Sequence, residues 1–349
     1  PIGLQYFSSV QSKLMELQRL NLTSSFFLFF SLVSKMTRVF GGKCKSKARL
    51  DGKVVVITGC NTGIGKETAL EFYKRGARVV MACRNVEKAK SAEKDIKRET
   101  EGLINVGEII VKELNLASFK SIRQCADDIL ASENHIHFLV NNAGVFACPR
   151  ELTEDGHELQ FGTNHLGHFL FTLLLLPRII RSAPARIVTI ASLAHMWGDG
   201  KMHYDDITLE KSYSPTDAYG RSKLANIFFT TELARKLEGT GVTTYSLHPG
   251  LVHTDLFRHL DKTVSPTFQD VFLSRCVTTF LKSSRQGAET TLHCCLDEKA
   301  GKESGLYYCD CKPRTVIKRA QNQEKAKELW EYSWNAVSLP KDYDPFVKG

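Results

Sequence analysis

The chain has 349 residues, 42% of them apolar and 24% charged. That composition excludes collagen-like, low-complexity and wholly disordered readings, and a chain this long buries a core without disulfides or metals. The net charge of +9 suggests an acidic partner, but residues 1–50 hold eight cations against one anion, leaving +2 for the other 299 residues. The basicity belongs to a leader, so nucleic acid is not an expected partner of the body.

The leader, residues 1–50, contains an apolar run from Ser24 to Val33 and then a basic cluster from Lys43 to Arg49. A run of about ten residues is too short to span a bilayer, which takes roughly 20. It suits an interfacial anchor or the core of a signal peptide, with the basic cluster holding the body on the cytosolic side. A competing reading starts translation at Met36, because the chain opens on Pro1; that start removes the run and leaves a cytosolic protein. Ten cysteines follow no C-x-x-C pattern, so reduced thiols are expected rather than zinc or disulfides. Cys309 and Cys311 are expected on one strand.

From Asp51 onward short β-branched runs alternate with longer amphipathic stretches. The runs begin at Val54, Val79, Ile109, Phe138, Ile187, Val242 and, more weakly, Leu306. Helix-like stretches cover residues 63–75, 118–132, 157–181 and 218–238. This alternation implies an α/β fold, a Rossmann-like doubly wound parallel sheet of about seven strands in a single domain over 51–335, with a C-terminal tail at 336–349. An insertion near 252–286 is rich in Phe and Leu; it fits either a lid over a lipophilic substrate or the packed face of a helix.

The first strand runs straight into Thr58-Gly59-Cys60-Asn61-Thr62-Gly63-Ile64-Gly65 and then a helix. Glycines let backbone approach a pyrophosphate, and a helix N-terminus supplies free N–H groups. A carboxylate at the tip of the second strand would bond an adenosine ribose. Here the residues are Cys83-Arg84-Asn85, and Arg84 suits a 2′-phosphate, which favours NADP(H). Asn115 after the third strand can bond adenine. After the fourth, the small-residue turn Asn142-Ala143-Gly144 lets a cofactor pass close to backbone.

Tyr219 and Lys223 stand one helical turn apart. Ser192 follows the fifth strand and Asn164 lies in the helix after the fourth, so all four belong near the carboxyl ends of the strands, where open α/β sheets place ligands. Carbonyl reduction needs a hydride and a proton. A phenol with pKa about 10 becomes an acid/base near neutrality if adjacent cations stabilise phenolate by roughly 4 kcal/mol, and help of this kind gives about 10²–10⁴ in rate. Ser192 would bond the substrate oxygen, while Met196 and Trp197 are candidates for the pocket wall beside Tyr219. The histidines at 165, 168, 195 and 203 show no metal-ligand spacing, so no metal is expected.

Together, Thr58–Gly65, Asn141–Gly144, Asn164, Ser192 and Tyr219-x-x-x-Lys223 resemble the short-chain dehydrogenase/reductase family. Further segments, including Ala82-Cys83-Arg84, Asn164-His165-Leu166-Gly167-His168-Phe169 and His248-Pro249-Gly250, narrow the resemblance to its retinol dehydrogenases of the 11–14 group. The resemblance implies NADP(H)-linked interconversion of retinal and retinol, most readily as reduction, at the endoplasmic reticulum membrane and facing the cytosol. It also implies that Asn164 helps order a relay water near Lys223, that Lys223 grips the nicotinamide ribose, and that Pro249, Gly250 and Thr254 lie along the nicotinamide end. Two positions depart from the group: Ala191 where a second serine is usual, and Asn115 for a usual Asp. The expected partners are a lipophilic carbonyl or alcohol substrate, a membrane met through the leader, and a second copy in a homo-oligomer. Two alternatives stand beside this: reduction of other lipophilic aldehydes, ketones or steroids, and a cofactor-binding scaffold without turnover.

Overall fold

The computed structural model describes residues 41–252 and 281–346. Thr254, most of the 252–286 insertion and the apolar run of the leader lie outside the described residues. The strands are β1 (Val54–Thr58), β2 (Arg78–Cys83), β3 (Glu108–Glu113), β4 (Phe138–Asn141), β5 (Ala185–Ile190), β6 (Val242–His248), β7 (Leu306–Cys309) and β8 (Lys312–Pro313). They form one sheet in the order β3-β2-β1-β4-β5-β6-β7-β8. The first seven pair in parallel, as the sequence predicts; β8 is a short antiparallel addition at the edge.

Side-chain alternation distributes each strand between two cores. Val54 and Val56 of β1 belong to one buried cluster, with Leu170 and Phe228. Val55 and Ile57 belong to the other, with Phe72 and Leu292. Both faces of the sheet are therefore covered, which is why the strands read as continuous apolar runs. One face carries α1 (Gly63–Lys74), α2 (Val86–Glu99) and α6 (Ser284–Leu296). The other carries α3 (Phe119–Ser132), α4 (Gly167–Arg181), α5 (Pro215–Lys236) and α7 (Gln323–Ala336).

Strand order reverses between β1 and β4, opening a crevice at the carboxyl edge, the general ligand position of such sheets. Two elements beside it depart from the sequence expectation. The 157–181 stretch is not one helix: a single turn, Leu159–Phe161, leads into a π-helical Gly162–Leu166 before α4 begins. The 218–238 helix starts earlier, at Pro215. Ser214 caps it by accepting the Asp217 N–H, and Pro215, which has no N–H to satisfy, fits the first turn.

Cys309 ends β7, whereas Cys311 lies in the turn to β8 with φ +56°, so the two do not share a strand as expected. The nine cysteines among the described residues are free thiols. At the N-terminal side, Cys44 and Leu50 pack into the core and the Cys44 N–H donates to Glu289, while Lys43, Lys45, Lys47 and Arg49 stay exposed. Beyond α7, Val337 is buried and the Tyr343 hydroxyl donates to the Leu173 carbonyl. Among the described residues no helix is long and apolar enough to cross a membrane.

Candidate active site

The glycine turn after β1 is built for close approach. A Cβ on Gly59, whose φ is +63°, would come within 2.8 Å of Ala143, and one on Gly65 within 2.6 Å of the Gly59 carbonyl. Thr62 occupies the N-cap of α1 without making a side-chain cap bond, and no acid stands in the first turn. The leading N–H groups of Gly63, Ile64 and Gly65 therefore remain for an anion, the arrangement a dinucleotide pyrophosphate requires. Asn61 completes this turn and is half-buried.

Thr58 ties the turn to the rest of the crevice. Its hydroxyl oxygen accepts the N–H groups of Asn142 (2.9 Å) and Ala143 (3.0 Å). With both lone pairs engaged, the Thr58 proton points to His168 Nε2 at 2.8 Å, which fixes the proton of that ring on Nδ1. Nδ1 in turn donates to the Asn164 carbonyl at 3.0 Å. Burial pushes His168 down to about 4, so the neutral tautomer holds at physiological pH. The Asn142 amide donates to the carbonyls of Thr58 and Gly59.

At the tip of β2, Arg84 is exposed and has no ion-pair or hydrogen-bond partner among the described residues. Asn85 beside it caps α2 by accepting the Lys88 N–H. Asn115 is half-buried past β3, its side-chain oxygen accepting the Ala117 N–H at 3.1 Å. Pro249 and Gly250 follow β6; Gly250 has φ +97° and lies against the Lys282 side chain.

The four expected catalytic residues converge on the crevice. Tyr219 is 6% exposed and Lys223 3%, both on the inward face of α5. Lys223 Nζ donates to the Ile190 carbonyl at the end of β5 (2.9 Å) and stands 5.5 Å from the Tyr219 ring centre. Asn164 is fully engaged: its amide donates to the Val145 carbonyl and Ser222 Oγ, and its side-chain oxygen accepts the Val145 N–H. The π-helical turn thus clamps the exit of β4 onto α5. Ser192 Oγ accepts the Ala194 N–H, and its carbonyl is held by His195 Nδ1 at 2.6 Å.

The electrostatics differ from the sequence expectation in one respect. Lys223 and the oxidised nicotinamide together were expected to lower the Tyr219 phenol. Among the chain's own groups burial has the larger effect and raises it, with a smaller opposing hydrogen bond from Ser192. Burial also pushes Lys223 down to about 7. The phenol is thus held protonated, as a proton donor must be.

Beside it stands an aromatic wall. Phe146 meets the Tyr219 ring edge-on at 4.6 Å, and the Trp197 ring lies 6.4 Å from Tyr219. Met196, by contrast, is 42% exposed. The Trp197 loop approaches because position 220 is glycine: a Cβ there would sit 2.7 Å from the Ala194 carbonyl. Arg319 fixes the loop from behind, donating to the carbonyls of Met196, Trp197 and Gly198.

Sequence reasoning missed Phe146, although it stands two residues after the Asn-Ala-Gly turn. It also considered His168 and His195 only as metal ligands and set them aside. Arg319 left no local signal, because its partners are over 120 residues away. Among the described residues no His, Cys, Asp or Glu cluster could hold a metal.

The short chain dehydrogenase family model matches residues 53–265. The chain belongs to the short-chain dehydrogenase/reductase family. It is 48% identical to "Retinol dehydrogenase 12" of Homo sapiens over 92% of this chain and 98% of that protein. It is 45% identical to "Retinol dehydrogenase 11" of Homo sapiens, over 91% and 96% respectively. Among solved structures, an uncharacterised protein from Mycobacterium paratuberculosis superposes with a TM-score of 0.65 at 32% identity, covering 85% of this chain and 97% of that one. This chain is accordingly a short-chain oxidoreductase related to the retinol dehydrogenases.

Proposed function

We propose that this oxidoreductase reduces retinal to retinol with NADPH, with Tyr219 as the proton donor. The observation that carries the reading is a buried Tyr219 between Ser192 and the Phe146–Trp197 wall, where burial raises the pKa of its phenol. A lipophilic carbonyl fits such a place: the rings take its apolar body, and two hydroxyls meet its oxygen. Kinship with retinol dehydrogenases supports a retinoid over other lipophilic carbonyls.

The nicotinamide cofactor supplies the hydride. The N–H groups of Gly63, Ile64 and Gly65 would hold its pyrophosphate and the unpaired Arg84 its 2′-phosphate. Lys223 would take the ribose, while the Asn142–Gly144 turn, Pro249 and Gly250 would line the nicotinamide end. Thr254 remains a proposed contact on sequence grounds alone. Ser192 Oγ donates to the carbonyl oxygen and orients it, and Tyr219 Oη transfers a proton to that oxygen as negative charge develops there. Lys223, held at the Ile190 carbonyl, favours the phenolate left behind. Asn164 keeps this machinery in register through Val145 and Ser222.

The leader's apolar run and the exposed lysines after it support attachment to the endoplasmic reticulum membrane with the body in the cytosol. The test is NADPH oxidation by the purified protein across a panel of all-trans-retinal, other lipid aldehydes and steroids. All-trans-retinal is expected to give the highest kcat/KM, and Tyr219→Phe to abolish turnover while NADPH still binds. Undiminished turnover in that variant contradicts the mechanism.

A further inference from the structure

Cys60 and Cys83 have no part in the chemistry above, yet they meet beneath the cofactor loop. Cys60 is the first variable residue of the glycine turn, and Cys83 ends β2 immediately before Arg84. Their sulfurs lie 3.7 Å apart, both side chains almost wholly buried. The Cys60 thiol also reaches the Ile57 carbonyl at 3.2 Å. Cys83 sits under the turn itself, its sulfur in contact with that of Cys60 and close to the backbone of Gly59, Cys60 and Asn61. These contacts outweigh its burial and lower its pKa, whereas burial raises that of Cys60. Cys83 is thus the more acidic of the two thiols and Cys60 the less, the usual division between an attacking and a resolving cysteine.

We propose that Cys60 and Cys83 form a thiol–disulfide site, oxidised by hydrogen peroxide, that couples the glycine turn to the tip of β2. Cys83 thiolate attacks one peroxide oxygen; the O–O bond breaks and, after protonation, gives a sulfenic acid and water. Cys60 sulfur, losing its proton, then attacks the Cys83 sulfur, the S–O bond breaks, and a second water leaves. Two thiols and one peroxide become one disulfide and two waters. Bonding draws the sulfurs from 3.7 Å to about 2 Å. The turn has little room to follow, since Gly65 packs on the Cys60 Cα and Gly59 on Ala143. The disulfide therefore displaces the pyrophosphate N–H groups relative to Arg84.

The functional half of this inference rests on the cofactor reading above, and the cross-link half does not. The full chain is treated with hydrogen peroxide, with and without prebound NADP+, then digested without reduction and mapped by mass spectrometry, with NADPH affinity measured in parallel. A Cys60–Cys83 linked peptide is expected, along with an affinity at least tenfold weaker that dithiothreitol restores. Prebound NADP+ should slow the linkage, and Cys60→Ala and Cys83→Ser should each resist the affinity loss. The proposal is overturned by the absence of that peptide when other thiols have oxidised, or by a Cys83 sulfenate that never resolves. A link that leaves NADPH affinity unchanged, or equal sensitivity of Cys60→Ala, also overturns it. Reduced protein that binds no NADPH at all, yet still forms the link, counts against the cofactor reading instead.

Discussion

Thr58 shows how much one hydroxyl carries. It accepts two N–H groups of the β4 exit and donates to His168, whose ring holds the Asn164 carbonyl. Thr58→Val keeps the shape but leaves three polar groups, two partly and one fully buried, without their partner. The expected cost is about 2–4 kcal/mol, read from urea unfolding; a change under 0.5 kcal/mol contradicts the assigned network. Arg84 is the opposite case, an exposed cation that no neighbour in the described structure engages. Arg84→Asp should raise KM for NADPH by tenfold or more and improve use of NADH, because a carboxylate repels a 2′-phosphate and accepts from a ribose hydroxyl. Unchanged cofactor preference means that the phosphate contact is misassigned. Arg84, Ser192, Tyr219 and Lys223 were legible in sequence because each follows a recognisable strand end or helical spacing. Phe146 and Arg319 were not, because a ring and a guanidinium acquire their roles only from what the fold sets against them.

At the scale of elements, α5 is the organising piece. Its cap at Ser214 and Pro215 sets where the helix begins, which places Tyr219 and Lys223 on the buried face. Helix spacing made that pair visible, but the helix start was misjudged by three residues because a polar first turn carries no apolar period. The π-helical turn at Gly162–Leu166 was invisible for a related reason: its apolar positions suit an ordinary helix, and only the clamp of Asn164 onto Val145 and Ser222 distinguishes it. Gly220 is where α5 meets the Trp197 loop. Gly220→Ala places a methyl against the Ala194 carbonyl and the Trp197 Cβ, so the loop must retreat. Expected is a fall of about 10- to 100-fold in kcat/KM for the carbonyl substrate, with KM for NADPH little changed. Steady-state kinetics with each substrate varied in turn separates the two; a parallel rise in both KM values speaks for general unfolding.

Over the whole molecule, the sheet is sealed between two helical layers, and that sealing governs its response to acid. Burial pushes His137, His165, His168 and His248 down to about 4, 3, 4 and 3. An unfolded histidine titrates near 6.5, so between roughly pH 4 and 6.5 the unfolded chain binds more protons than the folded one. Stability is fully present above pH 6.5 and is lost as pH falls, by about 1.4 kcal/mol per unit for each such histidine. Urea midpoints should therefore drop steeply from pH 7 to pH 5; a flat profile contradicts these buried neutral rings.

The parallel sheet, the family and the four candidate catalytic residues followed from the sequence, because β-branched runs, glycine spacing and a one-turn Tyr–Lys interval are local patterns. The charge that first suggested an acidic partner was also resolved there, by its confinement to residues 1–50. Tertiary structure alone decided that Tyr219 is held protonated, since desolvation depends on what surrounds the phenol and outweighs the hydrogen bond from Ser192. It alone brought Cys60 to Cys83, 23 residues apart in sequence, because parallel pairing of β1 with β2 carries their ends to one place.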